Sequence, residues 1–334
     1  MKLGIIGTGK IVHDALYALE PLEDIVCAAI FARPHSREKG EALAGQYGIP
    51  RVYTDYDELL RDGEVDTVYI ALINSVHYEY AKKALAAGRH VILEKPFTGT
   101  CGEAEELFCM AGDRGLYVFE AITVHHNEVL EKMRASLPRL GRIRLMMANF
   151  SQYSGRYDRY LRGDVDHYFS PEHLGGALRD INVYNIHYAA ALFGAPRNKS
   201  YFPNRGFNGV DVSGALVLEY DGFVCVLTAA KDSDSPCFVS VQGEKGWMRI
   251  DGKPNTGPNL TVAVADGGRA GEGRDASGAT VRTYVTEEFA PAAVRHRLTA
   301  EFRAFADIIA ANDRARADLL ARETLTVMSI IDGL

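Results

Sequence analysis

The chain has 334 residues, of which 47% are hydrophobic, and its 37 basic and 44 acidic side chains give a net charge of −7. It contains no basic run suited to nucleic acid and no stretch near the length of a membrane span, about 20 continuous apolar residues, so neither partner is expected. Its five cysteines are scattered without a Cys-x-x-Cys pair. This argues against a disulfide framework and a metal site and predicts a reducing, cytoplasmic location.

The first 121 residues alternate between short apolar runs and helical patterns. KLGIIG, IVCAAIF, VDTVYIAL, HVILE and YVFEA are typical of strands, and IVHDALYAL and HYEYAKKALAAG between them are typical of helices. Uninterrupted apolar strands separated by helices indicate a parallel sheet covered on both faces. We therefore predict an α/β fold whose first domain, residues 1–121, is a doubly wound parallel sheet.

Residues 122–334 show a different pattern and are predicted to form a second, α+β domain. Strand-like runs such as VSGALVLEY and FVCVLTAA follow one another with short turns, and Asp221-Gly222 between these two is a hairpin signal. The Gly-rich segment 266–279 predicts a mobile loop, and the chain ends in two helical patterns. Consecutive strands with short connections indicate a largely antiparallel sheet.

A glycine motif lies between the first strand and the first helix. KLGIIGTGKIV has Gly7 and Gly9 at the spacing that lets a pyrophosphate approach a helix N-terminus, although Val12 replaces the usual third small residue. The alternative is a turn that needs glycine only for its backbone shape. In this βαβ context we predict a Rossmann dinucleotide site whose contacts are Gly7, Thr8, Gly9, Lys10 and Ile11.

The end of the second strand bears on the choice of cofactor. An NAD site usually has an acidic residue about 20 residues after the glycines, to bind the ribose hydroxyls. Here the sequence is IFARPHSRE, with Ala32 and Arg33 at that place and Arg37 just beyond. A guanidinium suits a 2′-phosphate, so these residues favour NADP over NAD, although NAD stays possible because such arginines are also ordinary on surfaces.

Two further segments carry groups able to transfer protons. Glu94-Lys95-Pro96 ends the strand HVILE, at the sheet edge where ligands bind in open α/β sheets. In GGALRDINVYNIHY, helical spacing places Asp180, Tyr184 and His187 within about 60° of one another on one face. Taken alone, the first could be a solvated strand end and the second a hydrogen-bonded core network.

Together these features resemble the Gfo/Idh/MocA oxidoreductase family. The resemblance rests on GTGKI, NSVHYEYAKKALAAGRHVILEKP, FEA, GGALRDINVYNIHYAAALFGAP and GVDVSGALVLEY, which span nearly the whole chain. It implies a nicotinamide-dependent dehydrogenase in which an open-faced sheet domain follows the Rossmann domain and the active site lies between them. Many members have His four residues after the catalytic Asp; this chain has Tyr184, as does the branch of dihydrodiol and xylose dehydrogenases.

The resemblance also implies roles for individual residues. Catalysis would fall to Lys95, Asp180 and Tyr184, with Asp180 orienting Lys95 or the substrate and Lys95 favouring the anionic form of Tyr184. His187 and Glu120 would contact the substrate. VHHN after Glu120 lacks the proline frequent in the family, which leaves the shape of that wall open. The remaining cofactor contacts would be Leu72, Asn74, His77 and Glu94, together with Lys95 itself.

The expected substrate is a small carbohydrate-like molecule, oxidised at a secondary alcohol or hemiacetal of a sugar, polyol or related diol. Two alternatives are a non-catalytic NAD(P)-binding sensor and an NAD-dependent hydrolase of the same family. A cofactor fold can persist after its chemistry is lost. The family likeness and the need to cover an apolar sheet face also predict a homodimer or homotetramer formed through the second sheet.

Overall fold

The computed structural model describes residues 1–278 and 280–334, apart from the side chains of residues 267–273, 280 and 281. The first sheet is parallel and has the strand order β3-β2-β1-β4-β5-β6. Its strands are β1 Lys2–Ile6, β2 Val26–Phe31, β3 Val52–Tyr53, β4 Thr67–Ile70, β5 His90–Glu94 and β6 Val118–Ala121. This order is that of a Rossmann fold, with the ligand crevice expected where the order reverses beside β1. The predicted doubly wound domain is confirmed.

Helices cover both faces of this sheet: α1 Lys10–Leu19, α2 Arg37–Tyr47, α3 Tyr56–Arg61, α4 His77–Ala86 and α5 Cys101–Asp113. Local chemistry sets several of their starts. Thr100 and Glu103 form a capping box at α5, and the Asp55 carboxylate accepts two backbone N–H groups at α3. Such caps satisfy N–H groups that a helix leaves unpaired at its first turn.

The second sheet has the order β14-β13-β12-β11-β7-β10-β9-β8 and is antiparallel except where β10 runs parallel to β7. Its strands are β7 Ile143–Ser151, β8 Asn198–Arg205, β9 Asp211–Tyr220, β10 Phe223–Ala230, β11 Phe238–Gly243, β12 Gly246–Asp251, β13 Leu260–Arg274 and β14 Thr280–Phe289. Tyr220 pairs with Phe223 across Asp221-Gly222, as the hairpin signal predicted. The α+β prediction is confirmed.

The Gly-rich segment is where the sequence prediction of a loop was partly wrong: residues 266–274 belong to a strand, and only residues 275–278 form a turn. Residues up to Arg274 continue β13, which pairs with β14 up to the contact between Arg274 and Thr280. The prediction failed because backbone pairing with a neighbouring strand can hold glycines extended despite their low strand propensity. Ala279, the last residue of that predicted loop, lies outside the described residues.

The helices of the second half are α6 Glu128–Ser136, α7 Tyr157–Leu161, α8 Val183–Phe193, α9 Arg297–Ala311 and α10 Arg314–Ile331. A π-helical turn, Leu178–Asn182, leads directly into α8. The apolar side of α8 packs on one face of the second sheet, whereas Phe302 and Phe305 of α9 belong to the core around β1 and α1. The chain thus returns to the first domain at its end. No helix among the described residues is both long and apolar enough to cross a membrane.

Candidate active site

The turn between β1 and α1 has the shape that a bound pyrophosphate requires. Gly7 has φ +126°, and a Cβ there would lie 2.5 Å from the carbonyl oxygen of Ala71. Gly9 begins α1 in an extended conformation without a side-chain cap, and a Cβ there would meet nothing within 4 Å. Thr8 and Lys10 flank Gly9. The uncapped helix start therefore offers free N–H groups and space for an anionic group.

The two arginines after β2 differ in their surroundings. Ala32 is 1% exposed and faces Gly40 of α2, so this position offers no polar group to a ribose. Arg33 and Arg37 are both exposed, but Arg37 donates to Glu41 at 2.7 Å. Among the described residues Arg33 forms no ion pair within 4.0 Å. Its guanidinium is the one of the two that is available to a 2′-phosphate.

The loop after β4 connects the two domains. Leu72 and Asn74 line the cleft between them, and the Asn74 amide donates to the Leu174 carbonyl oxygen at 2.9 Å. His77 is fully buried, with Nδ1 3.0 Å from the Pro96 carbonyl oxygen and Nε2 3.2 Å from that of Leu72. Its predicted cofactor contact stays a prediction, because the structure shows it holding two loops together.

Lys95 and Asp180 lie 85 positions apart in the chain yet form a direct ion pair. The Lys95 ammonium donates to Asp180 Oδ1 at 3.0 Å and to the Asp180 carbonyl oxygen at 2.7 Å. It lies 5.3 Å from the centre of the Tyr184 ring. The structure therefore brings together the three residues with predicted catalytic roles, and all three line one cleft of about 240 Å³.

A π-helical turn lies where Asp180 meets the cleft. Asp180 lies within it and Tyr184 lies in the first turn of α8. A π-helical turn closes its hydrogen bonds one residue later than an α-helix, so it changes the angle at which side chains leave the helix, and such turns are frequent at functional sites. Both side chains lie on the cleft wall even though the segment around them is apolar.

Burial dominates the protonation of Tyr184. It raises the pKa of the phenol above its ordinary value, and the positive charges of Lys95 and Arg297 oppose this without cancelling it. Lys95 thus acts on Tyr184 in the predicted direction, but its effect is the smaller one. At neutral pH Tyr184 is therefore a neutral phenol and a proton donor.

Asp180 has a second cationic partner that the sequence analysis missed. The Lys231 ammonium lies 2.8 Å from Asp180 Oδ2, so the carboxylate is held between two lysines. Burial alone would raise the pKa of Asp180, but the charges of Lys231 and Lys95 hold it well below its usual value. One signal was available: Lys231 directly follows the apolar strand β10, as Lys95 directly follows β5.

Other residues complete the cleft. Glu94 is 7% exposed and accepts a hydrogen bond from the Tyr69 hydroxyl at 2.6 Å; burial raises the pKa of its carboxyl group. Arg297 reaches the cleft from the first turn of α9 and forms no ion pair within 4.0 Å among the described residues. The cleft-lining residues that the sequence did not indicate are Phe150, Gln152, Tyr168, Ile181, Asn255 and Arg297.

His187 and Glu120 lie behind the cleft and do not line it. Their side chains are 0% and 1% exposed, and His187 Nε2 is 3.3 Å from Glu120 Oε2. His187 Nδ1 lies 2.8 Å from His125 Nε2, and His125 in turn pairs with Glu323 at 2.8 Å. His187 lies one helical turn beyond Tyr184 along α8, and there its side chain pairs with Glu120 of β6 and does not reach the cleft. Their predicted contact with substrate stays a prediction that this geometry does not support.

The chain resembles known proteins over most of its length. Residues 1–122 match the Gfo/Idh/MocA oxidoreductase family with an NAD-binding Rossmann fold, and residues 136–249 match the C-terminal domain of that family. The scyllo-inositol 2-dehydrogenase (NADP(+)) IolU of Bacillus subtilis (strain 168) is 34% identical over 251 residues, 75% of this chain and 76% of that protein. D-xylose 1-dehydrogenase (NADP(+)) 2 of Haloferax volcanii is 29% identical over 338 residues, 100% of this chain and 96% of that protein.

A solved structure gives the same result. The 3-ketoreductase KijD10 from Actinomadura kijaniata, in complex with TDP-benzene and NADP in an open conformation, has a TM-score of 0.79 and 25% identity. The match covers 99% of this chain and 96% of that chain. The predicted family and its branch with xylose dehydrogenases are confirmed. By its two matched domains and its close relatives, the chain belongs to the Gfo/Idh/MocA oxidoreductase family.

Proposed function

We propose that this protein is an NADP-dependent dehydrogenase that oxidises a secondary alcohol or hemiacetal of a sugar or polyol and reduces the corresponding carbonyl in reverse. The observation that carries the proposal is the convergence of Lys95, Asp180 and Tyr184 in one cleft beside the dinucleotide turn. We assign cofactor binding to the predicted domain 1–121 and substrate binding to 122–334. The names of the inositol and xylose dehydrogenases among the relatives support this substrate class.

The residues of the β1–α1 turn fit a dinucleotide. Gly7 and Gly9 leave room for its pyrophosphate at the start of α1, and Arg33 is free to bind a 2′-phosphate. The bound nicotinamide supplies a hydride acceptor during oxidation and a hydride donor during reduction. Leu72, Asn74 and Ile11 line the cleft on the side of this turn and would position the nicotinamide.

Tyr184 carries the proton in this mechanism. During reduction, its phenol donates a proton to the carbonyl oxygen as that oxygen gains negative charge. Lys95 donates a hydrogen bond to the same oxygen and stabilises the charge. During oxidation the proton moves from the alcohol to the small fraction of Tyr184 that is ionised, a form that the adjacent ammonium stabilises. Asp180 keeps Lys95 in place through its carboxylate and its carbonyl oxygen.

The polar lining of the cleft supports a polyhydroxylated substrate. Asn74, Gln152, Asn255 and Arg297 line the same cavity as Tyr184. Amide side chains both donate and accept hydrogen bonds, as sugar hydroxyl groups do. A site built from such groups discriminates against substrates that lack the hydroxyls, because its own polar atoms would be left unpaired.

We also propose that the protein forms a homo-oligomer through the open face of the second sheet. The residues of this open face alternate with the core residues along each strand. Phe202 and Met147 on this face are 63% and 36% exposed, and Val217 and Val226 pair directly beside Met147. A second copy would cover this apolar surface.

The free cysteines among the described residues support the predicted reducing cytoplasm.

The experiment is NADPH formation by the purified protein across a panel of aldoses, inositols and diols. We expect turnover with at least one of them and a kcat about 10²–10⁴-fold lower in Tyr184→Phe, with the Kd for NADP unchanged. His187→Ala is the matched control and should reduce kcat far less. NADP binding without oxidation of any panel member would favour a sensor. Normal turnover of Tyr184→Phe with a folded, inactive His187→Ala would reverse their roles.

A further inference from the structure

Lys231 is a buried lysine whose ammonium group does not face solvent. It follows the last residue of β10, where its backbone N–H donates to the Val212 carbonyl oxygen at 2.8 Å. The residue is 3% exposed. A buried ammonium is costly unless it is paired and hydrogen-bonded, so the partners of this group indicate why the chain retains it.

The two groups that bind the Lys231 ammonium most directly, Asp180 and Tyr168, belong to the cleft wall. It lies 2.8 Å from Asp180 Oδ2 and donates to the Tyr168 carbonyl oxygen at 2.8 Å. It also lies over the rings of Phe169 and Tyr168, 4.3 Å and 5.5 Å from their centres. Lys231 itself does not line the cavity that contains Tyr184. It can therefore act on bound substrate only through these neighbours.

The cluster of Lys95, Asp180 and Lys231 affects Tyr184 through its net charge. A Lys95–Asp180 pair alone would be neutral, and the carboxylate would offset much of the field that Lys95 exerts on Tyr184. With Lys231 included, two ammonium groups share one carboxylate and the cluster carries a net charge of about +1. The Asp180 oxygen that does not face Lys95 is also fixed, which sets the rotation of the carboxylate.

We propose that Lys231 is a positioning residue that holds Asp180 toward Lys95, leaves the cluster positive beside Tyr184, and anchors the Tyr168 wall of the cleft. This assignment rests on the proposed dehydrogenase function. It adds to Lys95, Asp180 and Tyr184 a supporting residue from the end of β10 that does not itself line the cleft. Its loss should therefore affect the protonation of the site and the shape of the wall separately.

The charged and titratable groups around Asp180 come from several elements. Lys95 follows β5, Lys231 follows β10 and Tyr184 lies in α8, while His167 and Tyr168 lie in the short helical turn His167–Phe169. Asp211 of β9 also interacts with Lys231. The lysines are the groups in this set that favour the ionised carboxylate, so removing one must raise the pKa of Asp180.

The kinetic test compares Lys231→Met with Lys231→Arg. Lys231→Met should lower kcat by about ten- to a hundredfold through misplacement of Lys95. Lys231→Met removes one of the two cationic partners of Asp180, which must be ionised to hold Lys95, so the pKa of Asp180 should rise and kcat should begin to fall at a higher pH on the acid side than in the wild type. Displacement of Tyr168 should also raise KM. Lys231→Arg keeps the charge and should restore the pH profile while recovering kcat only in part.

Lys199 provides a matched control. It is a lysine of β8 whose ammonium donates to the carbonyl oxygens of Ser329, Ile330 and Asp332, away from the cleft. Lys199→Met removes a comparable set of hydrogen bonds and should leave the pH profile unchanged even if it lowers stability. A folded Lys231→Met enzyme with the wild-type pH profile and kcat would overturn the assignment, whereas wild-type inactivity would overturn the proposed function instead.

A spectroscopic test needs no turnover and separates the two proposals. In protein with isotope-labelled lysine side chains, slowly exchanging ammonium NMR signals should be seen for Lys95 and Lys231, and Asp180→Asn should shift both. Lys231→Met should shift the Lys95 signal, and Lys199→Met should not. If Lys231→Met fails to fold, Lys231→Gln replaces it. An unchanged Lys95 signal in the folded variant would contradict the proposed coupling.

Discussion

Arg33 and Arg37 follow the second strand of the Rossmann sheet, but they differ in whether another side chain already binds them. Arg37 donates to Glu41 across one helical turn, and Arg33 forms no ion pair among the described residues. The choice between NADP and NAD therefore depends on one guanidinium. Ala32, buried against α2, contributes neither attraction nor repulsion to a ribose.

We expect Arg33→Ala to weaken NADP binding by roughly ten- to a hundredfold, because a charge-assisted hydrogen bond to the 2′-phosphate is lost. Binding of NAD should stay unchanged. Fluorescence titration of both reduced cofactors measures the two Kd values, and Arg37→Ala is the matched control with little expected effect. Equal NADP affinity in Arg33→Ala and wild type would show that another group recognises the phosphate.

Buried acids near the cleft have a shared effect on its charge. Burial raises the pKa of both Glu94 and Glu301, and within the described part of the chain neither carboxyl oxygen of Glu301 has a hydrogen-bond partner. Both groups are therefore pushed toward their neutral forms. Arg297 keeps its positive charge beside them, so the cleft is more positive than a count of its acidic and basic residues suggests.

At the scale of an element, the two glycines of the β1–α1 turn have different roles. Gly7 is required by the backbone, since its φ of +126° and the nearby Ala71 carbonyl oxygen exclude a side chain. Gly9 has an extended backbone and open space around it. The first glycine therefore serves folding, and the second serves the ligand.

Gly7→Ala should lower the free energy of unfolding by about 1–3 kcal/mol or more, because it combines backbone strain with a steric clash. Gly9→Ala should leave the stability of the cofactor-free protein nearly unchanged and weaken NADP binding, since its methyl group occupies the space left for the pyrophosphate. Denaturant unfolding and cofactor titration of both variants check this. Equal stabilities for the two variants would contradict the distinction.

The π-helical turn and α8 form the element that separates proton transfer from structural support. Asp180 and Tyr184 face the cleft, while His187, one turn later, joins the buried chain with Glu120 and His125. The His187 imidazole has a buried neighbour at each nitrogen, which fixes the side of α8 that faces away from the cleft. The side that faces the cleft can then present Tyr184 in a single orientation.

At the scale of the whole molecule, the cleft depends on how the two sheets are joined. The Asn74 amide bonds to the Leu174 carbonyl oxygen across the two halves, and Lys95 bonds to Asp180. Helix α9 packs into the first core, and α10 packs against both α8 and α5. These contacts bring proton donor and cofactor turn to one cavity.

The open sheet face should control assembly. We expect wild-type protein to sediment as a dimer or larger species and Met147→Glu to shift it toward monomer, because a charge at the centre of the apolar face would be buried without a partner. Leu319→Glu, at a 42% exposed position on α10, is the control and should not change the sedimentation. A monomeric wild type at micromolar concentration would refute the proposed interface.

The sequence by itself determined the parallel first sheet, the hairpin at Asp221-Gly222, the dinucleotide turn and the position of Lys95 at a strand end. These features depend on local periodicity and on residues with special backbone freedom, which a sequence displays directly. The family resemblance added the link between Lys95, Asp180 and Tyr184.

Only the tertiary structure decided the rest. It placed Lys231 against Asp180, brought Arg297 from α9 into the cleft, turned His187 away from it and paired the Gly-rich segment as a strand. It also decided that the pKa of Tyr184 is raised and not lowered, because burial outweighs the charge of Lys95. Each of these outcomes depends on contacts between distant parts of the chain and on the loss of water around those contacts. The spacing of neighbouring residues encodes neither the contacts nor the loss of water.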